Sequence, residues 1–193
     1  MKTNLTILLA SIILTSCSST GSLSSFRQSS NNAYVEGKNE FIELKDGKII
    51  EDKIDKLEWR GNLPLIQSSK FTVGGNPYRA KEINAIQSKN KYFRRTVYND
   101  FAERIIKGKV NVYRLEKETA MNDRGSITRY TLYYLQKGDN AALNEYDNKL
   151  MEKTISDNPD AVAKFNEYKN LKGKEKKQNG STYLSEVIEL YNR

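Results

Sequence analysis

Ser88-Lys89-Asn90-Lys91 sets a serine hydroxyl three residues before an amine, and Glu116 and Glu118 stand two residues apart. The first spacing serves a serine nucleophile with a lysine base when both lie on one helical turn. The second puts two carboxylates on one face of a strand, where they could act as general acid and base on a glycosidic bond. Composition closes most other routes. The 193 residues include no histidine and one cysteine, which excludes a Ser-His-Asp or Cys-His nucleophile, an imidazole zinc site and an internal disulfide. No cofactor and no metal site is expected.

Ser156-Asp157-Asn158 adds a second short motif. With Ser88 to Lys91 it resembles two of the three signatures of penicillin-binding proteins and β-lactamases. The third, K-T-G or K-S-G, is missing after residue 158. Ser88 to Lys91 also falls in a turn between strand candidates, and Asn158-Pro159 reads as a helix cap followed by proline at the first helical position. Both motifs are therefore expected to be structural. Gly74-Gly75-Asn76 lacks the lysine and hydroxyl residue of a phosphate loop and reads as a turn.

Near the start of the sequence, Lys2 precedes an apolar run from Leu5 to Leu14 that ends in Leu14-Thr15-Ser16-Cys17. Crossing a bilayer takes about 20 apolar residues, so the run fits a secretory signal rather than a span. The ending resembles the lipobox of bacterial lipoproteins at all four positions. That resemblance implies cleavage before Cys17 and acylation of Cys17, with residues 1–16 as signal peptide. Ser18, which is not aspartate, then implies the outer membrane, and the lack of acids from Ser18 to Asn32 favours its periplasmic face. Residues 17–38 are read as a tether. Ser18 to Asn32 holds seven serines in fifteen residues and is expected to be a flexible leash, about 20 Å end to end as a random coil.

Residues 39–193 read as one α+β domain, mainly β over 39–137 and mainly α over 138–193. Phe41 to Lys45 and Lys48 to Ile50 flank Asp46-Gly47 as a hairpin with a two-residue turn. Phe71-Thr72-Val73 and Tyr78-Arg79-Ala80 flank a second turn, Gly74 to Pro77. Ile83 to Gln87, Tyr92 to Tyr98, Val110 to Glu116 and Thr128 to Gln136 are further strands, the last with Tyr130, Leu132 and Tyr134 on one face. Phe101 to Ile106 could be strand or helix. Leu143, Tyr146, Leu150, Met151 and Ile155 form a helical stripe; Val162, Phe165 and Tyr168 a second; and Leu184, Val187, Ile188 and Tyr191 a third, after a lysine-rich break at 172–177. The expected fold is an antiparallel, curled or barrel-like sheet with about three C-terminal helices packed on it. Tyr134 to Asp139 and Val187 to Asn192 resemble endings found in uncharacterised envelope proteins of Bacteroidota, a resemblance that implies no activity.

Charge is unevenly spread. Between Arg79 and Arg114 stand ten basic and three acidic residues, in a chain of net charge +8. Lys89, Lys91, Arg94 and Arg95 interleave with Tyr92 and Tyr98 there, and these six are the candidate site for an anionic partner: lipid, glycan or protein. The export signal argues against nucleic acid. Lys91 and Arg95 should share one strand face and Arg94 the other. The functional expectation is a membrane-tethered, non-catalytic binding or structural module; the alternative is a metal-independent hydrolase using a carboxylate pair. Inhibition of a host lysozyme is disfavoured, because lysozymes are usually basic and this segment would repel them.

Overall fold

A computed structural model describes residues 26–27, 35, 37–60, 63–66, 70–121 and 126–193. The expected signal peptide, the lipobox-like ending at Cys17 and most of the expected tether lie outside the described residues.

The chain opens with β1 (Phe41–Leu44) and β2 (Ile49–Glu51). Small strands follow: β3 (Ile54–Asp55), β4 (Trp59–Arg60), β5 (Leu63–Pro64), β6 (Phe71–Val73) and β7 (Asn76–Tyr78). A meander comes next, formed by β8 (Ile83–Ser88), β9 (Lys91–Arg95), β10 (Phe101–Ile106), β11 (Val110–Met121), β12 (Ser126–Lys137) and β13 (Asn144–Glu145). Three helices close the chain: α1 (Asn148–Ile155), α2 (Pro159–Asn170) and α3 (Gly173–Asn192). The main sheet has eight strands in the order β13-β12-β11-β10-β9-β8-β1-β2, and every pairing in it is antiparallel. It is open, with β13 and β2 at its edges. The fold is thus α+β, strands first and helices last.

One face of the sheet carries two cores. Over β10 to β12 the helices pack on Ile105, Ile106, Val112, Tyr133 and Leu135; over β1, β8 and β9 the 54–80 segment packs on Ile42, Ile86 and Phe93 through Ile66, Phe71 and Val73. The opposite face holds Phe41, Ala85, Tyr92, Ala102, Tyr113, Leu115 and Tyr134, with Leu143 and Val35 against it. Both faces of β10 are thereby covered, and all six of its residues are buried. A strand covered on both sides shows no alternation, which explains why the pattern over 101–106 did not choose between strand and helix. A register shift between Arg104 and Ile106 lets Ile105 and Ile106 enter the same core, as a bulge does.

Several elements differ from the sequence expectation. In the first hairpin only Gly47 takes positive φ (84°), and its N–H donates to the Leu44 carbonyl, so the loop is longer than two residues. In the second, Gly74 and Gly75 alone make the turn (φ 55° and 79°), and Asn76-Pro77 already belongs to β7, an edge strand that tolerates proline. β9 ends at Arg95, so Val97 and Tyr98 sit in the following turn. Leu143 and Tyr146 precede α1 instead of lying in it, because Asn144-Glu145 pairs with β12 and Asp147 caps the helix by accepting from the Leu150 N–H at 2.6 Å. Asn158 and Pro159 open α2 as expected, with the Asn158 side chain accepting from Ala161 N–H at 3.0 Å. The lysine-rich stretch is no break: α3 starts at Gly173 and runs through it. Lysine, glutamate and glutamine are good helix formers, and Lys176 lies over the Tyr168 ring at 4.5 Å.

Phe26, within the expected leash, is buried. Its ring packs edge-on against Tyr133 and Tyr146 at 5.2 and 5.3 Å, and the adjacent Arg27 N–H donates to Ser185 at 2.8 Å. The single aromatic of the serine-rich stretch thus belongs to the helix core. The four residues Leu184, Val187, Ile188 and Tyr191 are buried as their spacing requires.

Candidate functional site

β9 distributes its charges by pleat. Lys91 and Arg95 lie with Phe93 on the two-core face; Tyr92 and Arg94 lie on the other. On the first face the row Phe93, Glu103, Arg114, Tyr133 crosses β9 to β12. Glu103 stands between the two cores with its side chain only 3% exposed, and it takes Lys91 Nζ at 3.0 Å and Arg114 Nη2 at 3.1 Å. A buried carboxylate needs such partners, because desolvation otherwise exceeds what packing returns. Two of the ten bases in the segment are therefore committed to one internal acid.

Other bases are held as well. Arg95 donates to the carbonyls of Lys81 (3.0 Å) and Ile83 (3.4 Å) and to Asn99 Oδ1, which clamps the turn after β9 onto the start of β8. Arg94 Nη1 reaches Tyr92 Oη at 3.4 Å. Arg104, 4% exposed, lies 4.1 Å over the Tyr92 ring. Burial pushes the Tyr92 hydroxyl above its ordinary pKa. Tyr113 is shifted upward too, chiefly by burial, and its hydroxyl donates to Gln136 Oε1 at 2.8 Å. Tyr92 is thus an internal ring, not a surface platform. Of the six candidate residues, Lys89 and Tyr98 are exposed, at opposite ends of β9, and Lys91, Arg94 and Arg95 are half-buried. The structure does not gather the six on one surface.

Five of the ten remain exposed: Arg79 and Lys81 just before β8, and Lys89, Lys107 and Lys109 on two turns. Lys89 belongs to the β8–β9 turn, where Lys89 and Asn90 both have positive φ (52° and 58°), and its ammonium sits 4.3 Å over Trp59. Lys107 and Lys109 belong to the β10–β11 turn and are exposed. In an antiparallel meander these two turns lie at the same end of the sheet.

The motifs with catalytic spacing are occupied otherwise. Ser88 Oγ donates to Glu40 Oε1 at 2.5 Å, while Lys91 turns to Glu103. Glu118 binds Arg129 at 2.8 Å and Glu116 approaches Arg114 at 3.9 Å, so each carboxylate of that pair faces a guanidinium. Ser156 Oγ donates to the Lys153 carbonyl, and Asp157 accepts from Lys137 at 3.2 Å and Tyr191 at 3.1 Å. These contacts fasten the α1–α2 junction to β12 and α3. Neither a protein-family model, a curated protein nor a solved structure matches this chain.

An open recess of about 420 Å³ lies beside β2, lined by Gly37, Asn39, Glu40, Glu51, Asp52 and Lys53. Its acids are engaged: Glu40 by Ser88 and the Ile54 N–H, Glu51 by Lys38, Asp52 by the Lys53 N–H. Among the described residues no group of three His, Cys, Asp or Glu side chains could hold a metal ion, and no helix is long and apolar enough to cross a membrane. The residue that sequence reasoning passed over is Glu103. Its signal was an acid between Phe101 and Ile105, in a run otherwise fit for burial.

Proposed function

We propose that the chain is a lipid-anchored protein of the bacterial envelope, held through acylated Cys17 at the periplasmic face of the outer membrane. It acts there as a non-catalytic module that docks an anionic partner. The observation that carries the reading is the engagement of its acids and bases with one another: Glu103 with Lys91 and Arg114, Ser88 with Glu40, Glu118 with Arg129. Groups locked in structural pairs are poor proton shuttles. Lys89, Lys107 and Lys109 present three exposed charges together at one end of the sheet. Acylation contributes about 0.8 kcal/mol per buried methylene, enough with several chains to hold the protein at a bilayer without a span.

The experiment has two parts. Cells making the full chain or Cys17→Ala are labelled with an alkynyl fatty acid and fractionated; the variant should lose both label and membrane retention. Purified Cys17→Ala protein is then mixed with vesicles containing or lacking anionic phospholipid. Retention on the anionic vesicles should fall at about 0.5 M salt, where screening acts within a few ångströms, and in the triple variant Lys89→Glu, Lys107→Glu, Lys109→Glu. Full membrane retention of an unlabelled variant would overturn the anchor; equal, salt-insensitive retention would overturn the docking surface.

A further inference from the structure

β2 is an outer strand of the main sheet, and its far side pairs with no strand among the described residues. Leu44 N–H donates to the Lys48 carbonyl at 2.9 Å, and the β1–β2 register sets Ile42 across from Ile50. Orientation alternates along an antiparallel strand, so Ile50 turns its N–H and carbonyl toward β1 while Ile49 and Glu51 turn theirs outward. Among the described residues those outward groups have no partner. Ile49 is also 46% exposed. A free strand edge that carries an apolar side chain is a template for another strand.

The edge carries opposite charge at its two ends. Just before β2 stand Lys45, Asp46 and Lys48, all exposed, two bases against one acid. Just after it opens the recess lined in part by Glu40, Glu51, Asp52 and Lys53. There Lys38 neutralises Glu51, and Asp55 neutralises Lys53 at 2.7 Å. Among the described residues, Glu40 and Asp52 accept from uncharged donors alone, the Ser88 hydroxyl and the N–H groups of Ile54 and Lys53, so no cation offsets either of them.

A strand that fits must be acidic where this edge is basic and basic where it is acidic. Run antiparallel, β2 itself has that pattern. A two-fold axis between the Ile50 residues of two copies sets Ile49 of one across from Glu51 of the other, and their outward groups then form hydrogen-bonded pairs on both sides of the axis. The same register sets Lys48 across from Asp52 twice, aims the lysines of each turn at the recess of the other copy, and brings the two Ile49 side chains together diagonally on one face. A basic peptide from another protein would fill the acidic end but leave Lys48 facing no acid. β13, at the other edge of the sheet, is two residues long and carries no base.

We infer that two copies of this chain pair through β2, antiparallel about Ile50, and join their sheets edge to edge. The contact needs neither the acyl anchor nor the lysines at 89, 107 and 109. It is tested on the full chain carrying Cys17→Ala, in a non-ionic detergent, by sedimentation across the micromolar to millimolar range. The protein should pass from monomer to dimer. Lys48→Glu and Asp52→Lys should each weaken the dimer about tenfold, since each sets like charges together twice. Mixing those two variants should restore dimerisation, because the mixed pair again has opposite charges face to face at both positions. A misfolded variant could not be rescued in this way. In the same background, Ile50→Cys supplies the only thiol and should form a disulfide between copies under mild oxidation, because the α-carbons of a non-hydrogen-bonded pair lie about 4.5 Å apart. The exposed Lys45→Cys should not. Three results would overturn the inference: a monomer throughout the range, a dimer that the charge variants leave unchanged or that mixing them fails to restore, or crosslinking at Lys45→Cys as fast as at Ile50→Cys.

Discussion

The side-chain amide of Asn192 pairs with the backbone of Val110: its Oδ1 accepts the Val110 N–H at 2.8 Å and its Nδ2 donates to the Val110 carbonyl at 3.1 Å. The last residue of α3 thereby takes the place of a neighbouring strand at the start of β11. The contact also fixes the turn beside it, because a Cβ added to Gly108 would come within 2.3 Å of the Asn192 amide.

Asn192→Ala should therefore cost about 1–3 kcal/mol, the range for leaving buried backbone groups unpaired. Gly108→Ala should destabilise the wild type and add little in the Asn192→Ala background, where the obstructing amide is gone. Urea denaturation of the two single variants and the double variant gives the coupling directly. Additive losses would mean that residue 108 and Asn192 do not compete for the same space.

Glu103 should be the most sensitive charge in the protein. Glu103→Gln leaves Lys91 and Arg114 facing one another on a partly buried row, and removing one member of a buried ion pair costs about 3–5 kcal/mol. Lys91→Gln should cost much less, since Arg114 still neutralises the carboxylate. Equal unfolding midpoints for the two variants would contradict this order.

The acid dependence of stability should carry a contribution from Asp157. Its pKa is lowered from 3.8 by the Tyr191 hydroxyl and then by Lys137. A folded value below the unfolded one means that the contribution is present above about pH 4 and fades as pH falls through the lowered value. Thermal melts of wild type and Asp157→Asn should thus differ most near neutral pH and converge in acid. A difference that grows in acid would reverse the sign.

Local rules made much of the scaffold legible. Gly47 marked the first hairpin, Asn158-Pro159 opened α2, and the i, i+3, i+4, i+7 spacing of Leu184, Val187, Ile188 and Tyr191 fixed the inner face of α3. What escaped depends on contacts distant in sequence. The Glu103 cluster appears only once the β9–β10–β11 register places Lys91 and Arg114 beside it. Phe26 is held by Tyr133 and Tyr146, and no local pattern announces that slot. Buried amides act at the same range: Gln87 pairs with the backbone of Val35 at 2.7 and 3.1 Å, and Gln136 with the carbonyls of Asp139 and Ala141 at 3.0 and 2.7 Å. An amide on a strand looks like any surface residue until the chain segment it grips is known. For the candidate site, the basic segment was visible as composition, whereas its division between internal pairs and outward turns required the pleat.

The strand order also sets a schedule for a nascent polypeptide. The β1–β2 hairpin is made first, yet the strand it docks on, β8, lies beyond the whole 52–82 segment, whereas β8 to β12 each pair with the next strand made. Closing that long loop is slower than zipping adjacent hairpins. The hairpin nearest the N terminus is thus the last piece of the sheet to seat, and its backbone groups stay open longest while the remaining strands assemble. Pulsed hydrogen exchange during refolding should find the amide of Glu43, on the β8 side of β1, protected after that of Val112, and the reverse order would refute the schedule.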